Sequence, residues 1–289
     1  MRSWLFVPGD SEKKLEKSLG SEADVTIIDL EDSVALDRKA AARDIASAFV
    51  RDSRARIGSR IYVRVNDLLT GLTEADLAGI MSIRPDGIML PKSTGMADVT
   101  RLAVMLRVQE AQNGIADGAT RVVPLVTETG ASVLAAHTYQ PDPRFEGLTW
   151  GAEDLSASIG ARVSRYEDGR FLDVFRLARS LCLLAASAAE TQAVDTVFPN
   201  FRDEAGFARE CAEAERDGFT GKMAIHPAQV PVINAAFTPT PEAIQRSQAI
   251  VDAFRDAGNA GVISVGGKMY DRPHLRLAER LLARAPKSA

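Results

Sequence analysis

The chain has 289 residues, 46% of them hydrophobic and 26% charged, with a formal net charge of -4, the profile of an ordinary soluble globular protein. Basic residues are scattered among acidic ones, and no dense run of Lys and Arg interleaved with aromatics supplies the electrostatic footprint of a nucleic-acid binder. No apolar stretch reaches the roughly 18 residues of a membrane span, and the opening "MRSWLFVPGD" turns into Pro-Gly too early for a signal-peptide core, so a cytoplasmic protein with no membrane partner is expected.

Short β-rich apolar runs alternate with longer helical patterns along the chain. The candidate strands are "SWLFV" (3–7), "VTIID" (25–29), "IYVRV" (61–65), "GIMLP" (87–91), "VVPLV" (122–126), "GLTWG" (147–151), "AVDTVF" (193–198) and "KMAIH" (222–226). Helix-length segments separate them, from "SEKKLEKSL", which Asp10 or Ser11 is placed to cap, to "PAQVPVINAAF". Eight strand-helix repeats point to an α/β fold of the (β/α)8 TIM-barrel class, whose usual size is about 250 residues. A doubly wound sheet is disfavoured, because no G-x-G-x-x-G follows the first strand. The barrel is assigned to residues 1–237. Residues 238–289 are surplus to it and read as a C-terminal helical extension, in which "LRLAERLLARA" carries a Leu stripe that its own barrel or a neighbouring subunit must cover. Cys182 and Cys211 lack metal-ligand spacing and read as buried, inert thiols.

In a barrel of this kind the C-terminal strand ends share one site. Asp29, Glu31 and Asp32 follow strand 2, Arg64 and Asn66 belong to strand 3, Lys92 follows strand 4, Glu128 follows strand 5, and Glu153 and Asp154 follow strand 6. So many carboxylates repel one another unless a positive charge sits among them, and Arg64 and Lys92 fall short of balancing them. Oxygen ligands without a His or Cys cluster favour a hard divalent cation, Mg2+ or else Mn2+. Glu128 and Asp154, each flanked by small residues, are the expected ligands, with Asp29, Glu31, Asp32 and Lys92 in an outer layer. His226, a lone His before Pro, reads as structural.

The stretches "SWLFVPGD", "ADVTIIDLEDSV", "KAAAR", "VRVN", "DGIMLPK", "GAEDLS", "GKMAIHPAQVPVIN" and "MYDRPHLRLAERLL" span nearly the whole chain in order. Together they resemble the citrate lyase beta chain and its relatives, the malyl-CoA and citramalyl-CoA lyases, within the HpcH/HpaI-type barrel aldolases. That resemblance implies a Mg2+-dependent lyase that splits a 3-hydroxyacyl-CoA thioester into acetyl-CoA and an oxo acid. Carried over by position, it makes Glu128 and Asp154 the metal ligands and sets Arg64 on the oxo-acid carboxylate, as a bidentate clamp. Asp271, in "MYDRP", matches an acid that relatives deliver from a neighbouring subunit, and it is expected to be partly desolvated there as the acid/base. A homo-oligomer, with a trimer favoured, follows from the same likeness.

Backbone N–H groups at Gly151 and Ala152 are expected to support the thioester oxygen, and Phe6 and Lys17 to touch the CoA nucleotide. The turn after the first strand is "GDSE", where relatives often have an Asn-Arg-Pro-like sequence, so the phosphate-binding Arg is missing. The alternatives are a citrate lyase beta chain acting on a citryl thioester of an acyl carrier protein, and a binding barrel without catalysis. A class II pyruvate aldolase is disfavoured, because its His base lies early in the chain and His137, His226 and His274 all fall late.

Overall fold

The computed structural model describes residues 1–258 and 260–286. Eight parallel strands form one sheet: β1 (Ser3–Pro8), β2 (Val25–Asp29), β3 (Arg60–Arg64), β4 (Gly87–Leu90), β5 (Arg121–Pro124), β6 (Gly147–Thr149), β7 (Gln192–Asp195) and β8 (Gly221–Ala224). Their order is β5-β4-β3-β2-β1-β8-β7-β6, and the parallel bridges Val122 to Phe145 and Leu125 to Thr149 join the two outer strands. This is the expected (β/α)8 barrel. Strands such as β2 and β4 are buried at every residue, as parallel strands covered on both faces must be.

Helices α1 (Glu12–Ser18), α2 (Lys39–Ser53), α3 (Thr73–Ile80), α4 (Met96–Gln112), α5 (Gly130–Ala135), α6 (Ala152–Ile159), α7 (Asp173–Ala188), α8 (Glu204–Asp217) and α9 (Gln229–Phe237) follow the strands. Two local expectations need correction. Ser11 occupies the N-cap position of α1, but its side chain makes no capping hydrogen bond. The expected strands at 122–126, 147–151, 193–198 and 222–226 run past the true ladder, because Leu125, Val126 and Trp150 stay buried after the chain has left the sheet. Apolar sequence tracks burial, and strand pairing ends earlier.

Alternate strand residues turn inward to a core of Trp4, Val25, Ile27, Tyr62, Met89, Val123, Leu125, Val194 and Met223. Trp4 meets the Tyr62 ring edge to face at 5.1 Å. Gly87 lies so close to that ring that a Cβ there would sit 2.2 Å from it. At the N-terminal end of the strands, Arg60 (2.9 Å) and the Tyr62 hydroxyl (3.3 Å) both donate to Glu146, which closes that end with polar groups. Cys182 and Cys211 are free and buried, and burial pushes both thiols upward. Among the described residues no helix is long and apolar enough to cross a membrane.

Residues up to Asn234 form one compact unit and those from Ala235 onward form another. In the second, Thr240 caps α10 (Pro241–Asp256) by accepting from Ala243 N, and Pro241 takes the first helical position. A hairpin follows, β9 (Val262–Val265) antiparallel to β10 (Lys268–Asp271), and then α11 (Arg272–Leu282). The hairpin interrupts the helical extension expected from sequence. Gly266 and Gly267 both have positive φ, the geometry of a two-residue type I′ turn. Ile250, Phe254 and Ala278 form this unit's own small core.

Candidate active site at the C-terminal mouth of the barrel

The register of β2 and β3 makes Asp29 and Arg64 direct neighbours. Arg64 donates from Nε to Asp29 Oδ1 and from Nη2 to Asp29 Oδ2, both at 2.7 Å. Asp29 also accepts the backbone N–H groups of Glu31 and Ser33. Burial opposes the charge on Asp29, yet Arg64 and these N–H groups outweigh it and hold the carboxyl below its ordinary range. Arg64 lies over the Phe6 ring at 4.9 Å and keeps its charge despite burial, because Asp29, Glu31 and Glu128 surround it.

This corrects the expected bidentate clamp. The guanidinium fork is engaged by Asp29, and the remaining nitrogen, Nη1, stands 3.0 Å from Glu31 and 3.7 Å from Asp32. Asp29 thus faces a fixed cation of the chain itself.

The loop after β2 is pinned from below. Lys39 Nζ donates at 2.8 Å to the carbonyls of Leu30 and Glu31, and buried Asn66 donates to the Leu30 carbonyl and to Asp76. Glu31 then forms an ion pair with Lys92, whose Nζ is also 3.3 Å from Asp154 and 3.6 Å from Asp32. Burial nevertheless dominates at Glu31 and pushes its carboxyl up to about 7.

Glu128, at the end of the β5 run, is 1% exposed. Its Oε2 accepts the Lys92 backbone N–H at 2.5 Å. Burial first, and then the nearby charge of Asp154, push its carboxyl up to about 8. Gly151 makes this approach feasible, because a Cβ there would lie 3.0 Å from Glu128 Oε1. The preceding Trp150 donates at 2.7 Å to buried Asp195, which also binds Lys222 (3.0 Å) and Arg179 (3.1 Å). That buried network, which sequence reasoning missed, anchors the end of β6. Glu153 and Asp154 lie in the first turn of α6, with Gly151 at its N-cap. Sequence reading missed this helix, whose eight residues carry a short apolar spacing at Ala152, Leu155 and Ile159.

These groups border a cavity of about 710 Å³ whose lining includes Phe6, Lys17, Asp29, Asp32, Arg64, Glu128, Gly151, Ala152 and Asp154. Lys14 and His226 line it too. Lys14 was missed, although it shares a face of α1 with Lys17 at i and i+3. His226 was read as structural, but its ring stacks on Phe201 at 4.7 Å beside the cavity. Asp271 belongs to the second unit, where it caps α11. It is half-buried there and lies 2.5 Å from His274 Nδ1. The hydrogen bond from His274 lowers its pKa.

The donor set fits a hard divalent cation. Asp29, Glu31, Asp32, Glu128 and Asp154 are five carboxyl groups against two cations, Arg64 and Lys92, a formal excess of three negative charges when all five are ionised. Among the described residues no three His, Cys, Asp or Glu side chains group as a metal cage. A pair of carboxylates such as Glu128 and Asp154 is chemically compatible with Mg2+, which keeps waters and takes oxygens from its substrate.

A closed parallel barrel with an oxygen-rich acidic mouth is the architecture of a barrel enzyme. The chain belongs to the HpcH/HpaI aldolase/citrate lyase family, whose model matches residues 2–227, and it is thus an enzyme of the aldolase and lyase kind. It is 36% identical over 289 residues to a protein named (3S)-malyl-CoA thioesterase of Cereibacter sphaeroides, covering 98% of this chain and 94% of that one. It is 32% identical to the mitochondrial citramalyl-CoA lyase of Mus musculus, covering 98% and 86%. It is similar to the crystal structure of CitE from Mycobacterium tuberculosis in complex with magnesium, acetoacetate and coenzyme A, with a TM-score of 0.76, 34% identity, and 98% and 97% of the two chains covered.

The raised carboxyls carry a pH signature. Glu128 titrates near 8 in the fold against an ordinary 4.5, so between those values the native state binds more protons than the unfolded one. Metal-free stability therefore falls as pH rises through this window. Thermal unfolding in EDTA should show the melting temperature dropping from about pH 5 to about pH 8, and Glu128→Gln should flatten that slope.

Proposed function

We propose that this protein is a Mg2+-dependent carbon-carbon lyase that cleaves a 3-hydroxyacyl-CoA thioester of the malyl-CoA or citramalyl-CoA type to acetyl-CoA and an oxo acid. The observation that carries this reading is the convergence of buried Glu128 with Asp154 at the mouth of the cavity. Glu128 and Asp154 would hold the Mg2+. When bound, the metal supplies Lewis-acid polarisation of the hydroxyl and carboxylate oxygens of the departing oxo acid.

The chain's own groups divide the remaining tasks. Arg64, fixed by Asp29, offers one nitrogen and a preorganised positive charge to the oxo-acid carboxylate. The free N–H groups at the start of α6, from Ala152 onward, face the developing negative charge on the thioester oxygen. Lys14 and Lys17 take the CoA phosphates in place of the missing turn Arg, and Phe6 supplies an apolar wall. Asp271, half-buried in its own unit, acts as the acid/base in a neighbouring subunit of a homo-oligomer, a trimer by resemblance, with His274 orienting its carboxylate.

A second reading is favoured by the likeness to the (3S)-malyl-CoA thioesterase, and product analysis separates the two. Lysis yields acetyl-CoA and an oxo acid, whereas hydrolysis yields free CoA and the hydroxy acid. Release of acetyl-CoA from malyl-CoA or citramalyl-CoA should require Mg2+ and stop with EDTA, and Glu128→Ala should lower kcat by at least about a thousandfold. Cleavage that survives EDTA would contradict the metal reading, and strict preference for a carrier-protein thioester would move the assignment to a citrate lyase subunit.

Subunit sharing has its own test. Asp271→Asn and Glu128→Ala, each inactive alone, should recover part of the wild-type rate when co-refolded, because some sites then receive both native groups. Inactive mixtures would place Asp271 in its own chain's site, and an active Asp271→Asn variant would place it outside catalysis.

A further inference from the structure

Lys92 follows β4 and is one of three non-glycine residues with positive φ among the described residues, at 52°. An L side chain adopts that conformation reluctantly, so the surroundings must hold it there. The turn does two things at once. It aims the Lys92 N–H at Glu128 Oε2, 2.5 Å away, and it lets Nζ reach Glu31 and, at 3.3 Å, Asp154. The other nearby cation is not free to move, because Arg64 is forked onto Asp29. Lys92 Nζ is a point charge on a flexible stem, with 27% of its side chain exposed.

We propose that Lys92 is the resident counter-cation of this site: a positioning residue whose ammonium holds Asp154 and Glu31 in the metal-free protein and competes with the divalent metal for Asp154. The inference rests on the metal site proposed above. It carries an unusual sign. A residue that merely supports the ligands weakens metal binding when it is removed, whereas a cation 3.3 Å from a ligand repels the incoming metal and leaves the apo-site carboxylates unscreened when it is lost.

The test is calorimetric titration of Mg2+ into the metal-free wild type, Lys92→Gln and Lys92→Gly, with thermal unfolding of each in EDTA and in saturating Mg2+. Lys92→Gly suits the left-handed turn and keeps the N–H to Glu128, so it decides the matter where Lys92→Gln does not fold. Both variants should bind Mg2+ at least about tenfold more tightly than wild type. Both should also melt lower in EDTA and recover in Mg2+, and folding only when Mg2+ is present is the extreme of the same result. Equal or weaker Mg2+ binding in Lys92→Gly overturns the inference and leaves the metal site standing. Absence of Mg2+ binding to the wild type at millimolar concentration overturns the metal site and the inference with it.

Discussion

Asp29 and Arg64 stand side by side because β2 and β3 pair in a register that makes them neighbours, and the acidic mouth of the barrel is built outward from their bidentate bond. The pair fixes one positive charge rigidly among five carboxylates. Glu31 packs against Arg64 on one side and Lys92 on the other, and Lys92 in turn reaches Asp154 with its side chain and Glu128 with its backbone. Each acid is placed by the cation before it. Removing either cation would leave buried carboxylates facing one another, and the desolvation cost of such groups is large.

The charge count also distinguishes the mouth from the core. Fully satisfied buried networks rigidify a core, and the one around Asp195, Lys222 and Glu210 does so beneath β6 and β7. The mouth differs, because its negative charges exceed its positive ones. Its excess appears physically as the raised carboxyls of Glu31 and Glu128. A protein that keeps such an imbalance in a cavity of about 710 Å³ has a site poised for a ligand that brings positive charge.

The barrel was legible because buried parallel strands read as short Val- and Ile-rich runs at regular spacing, and because acids placed just after such runs share one rim. Of the barrel residues singled out from sequence, Phe6, Lys17, Asp29, Asp32, Arg64, Glu128, Gly151, Ala152 and Asp154 border one cavity, while buried Asn66 bonds to Asp76. What escaped depended on contacts remote in sequence. Arg64 was read as a clamp on substrate, and only the register sets it on Asp29; Lys222 and Asp195 carried no signal, because only the pairing of β7 with β8 brings them within 3.0 Å. Helix α6 was too short to show a period, and the hairpin of the second unit was hidden because its four-residue strands are largely exposed. The Gly-Gly pair between them was the signal available.

On the function proposed above, the negative charge at the barrel mouth is directed at one divalent cation between Glu128 and Asp154. Crystals grown with Mn2+ and examined by anomalous scattering test it directly, since Mn2+ suits the same oxygen ligands. The expected result is a single strong peak bonded to one oxygen of Glu128 and one of Asp154, with Asp29 still paired to Arg64. A peak at Asp29 and Glu31, or none at millimolar Mn2+, would contradict it.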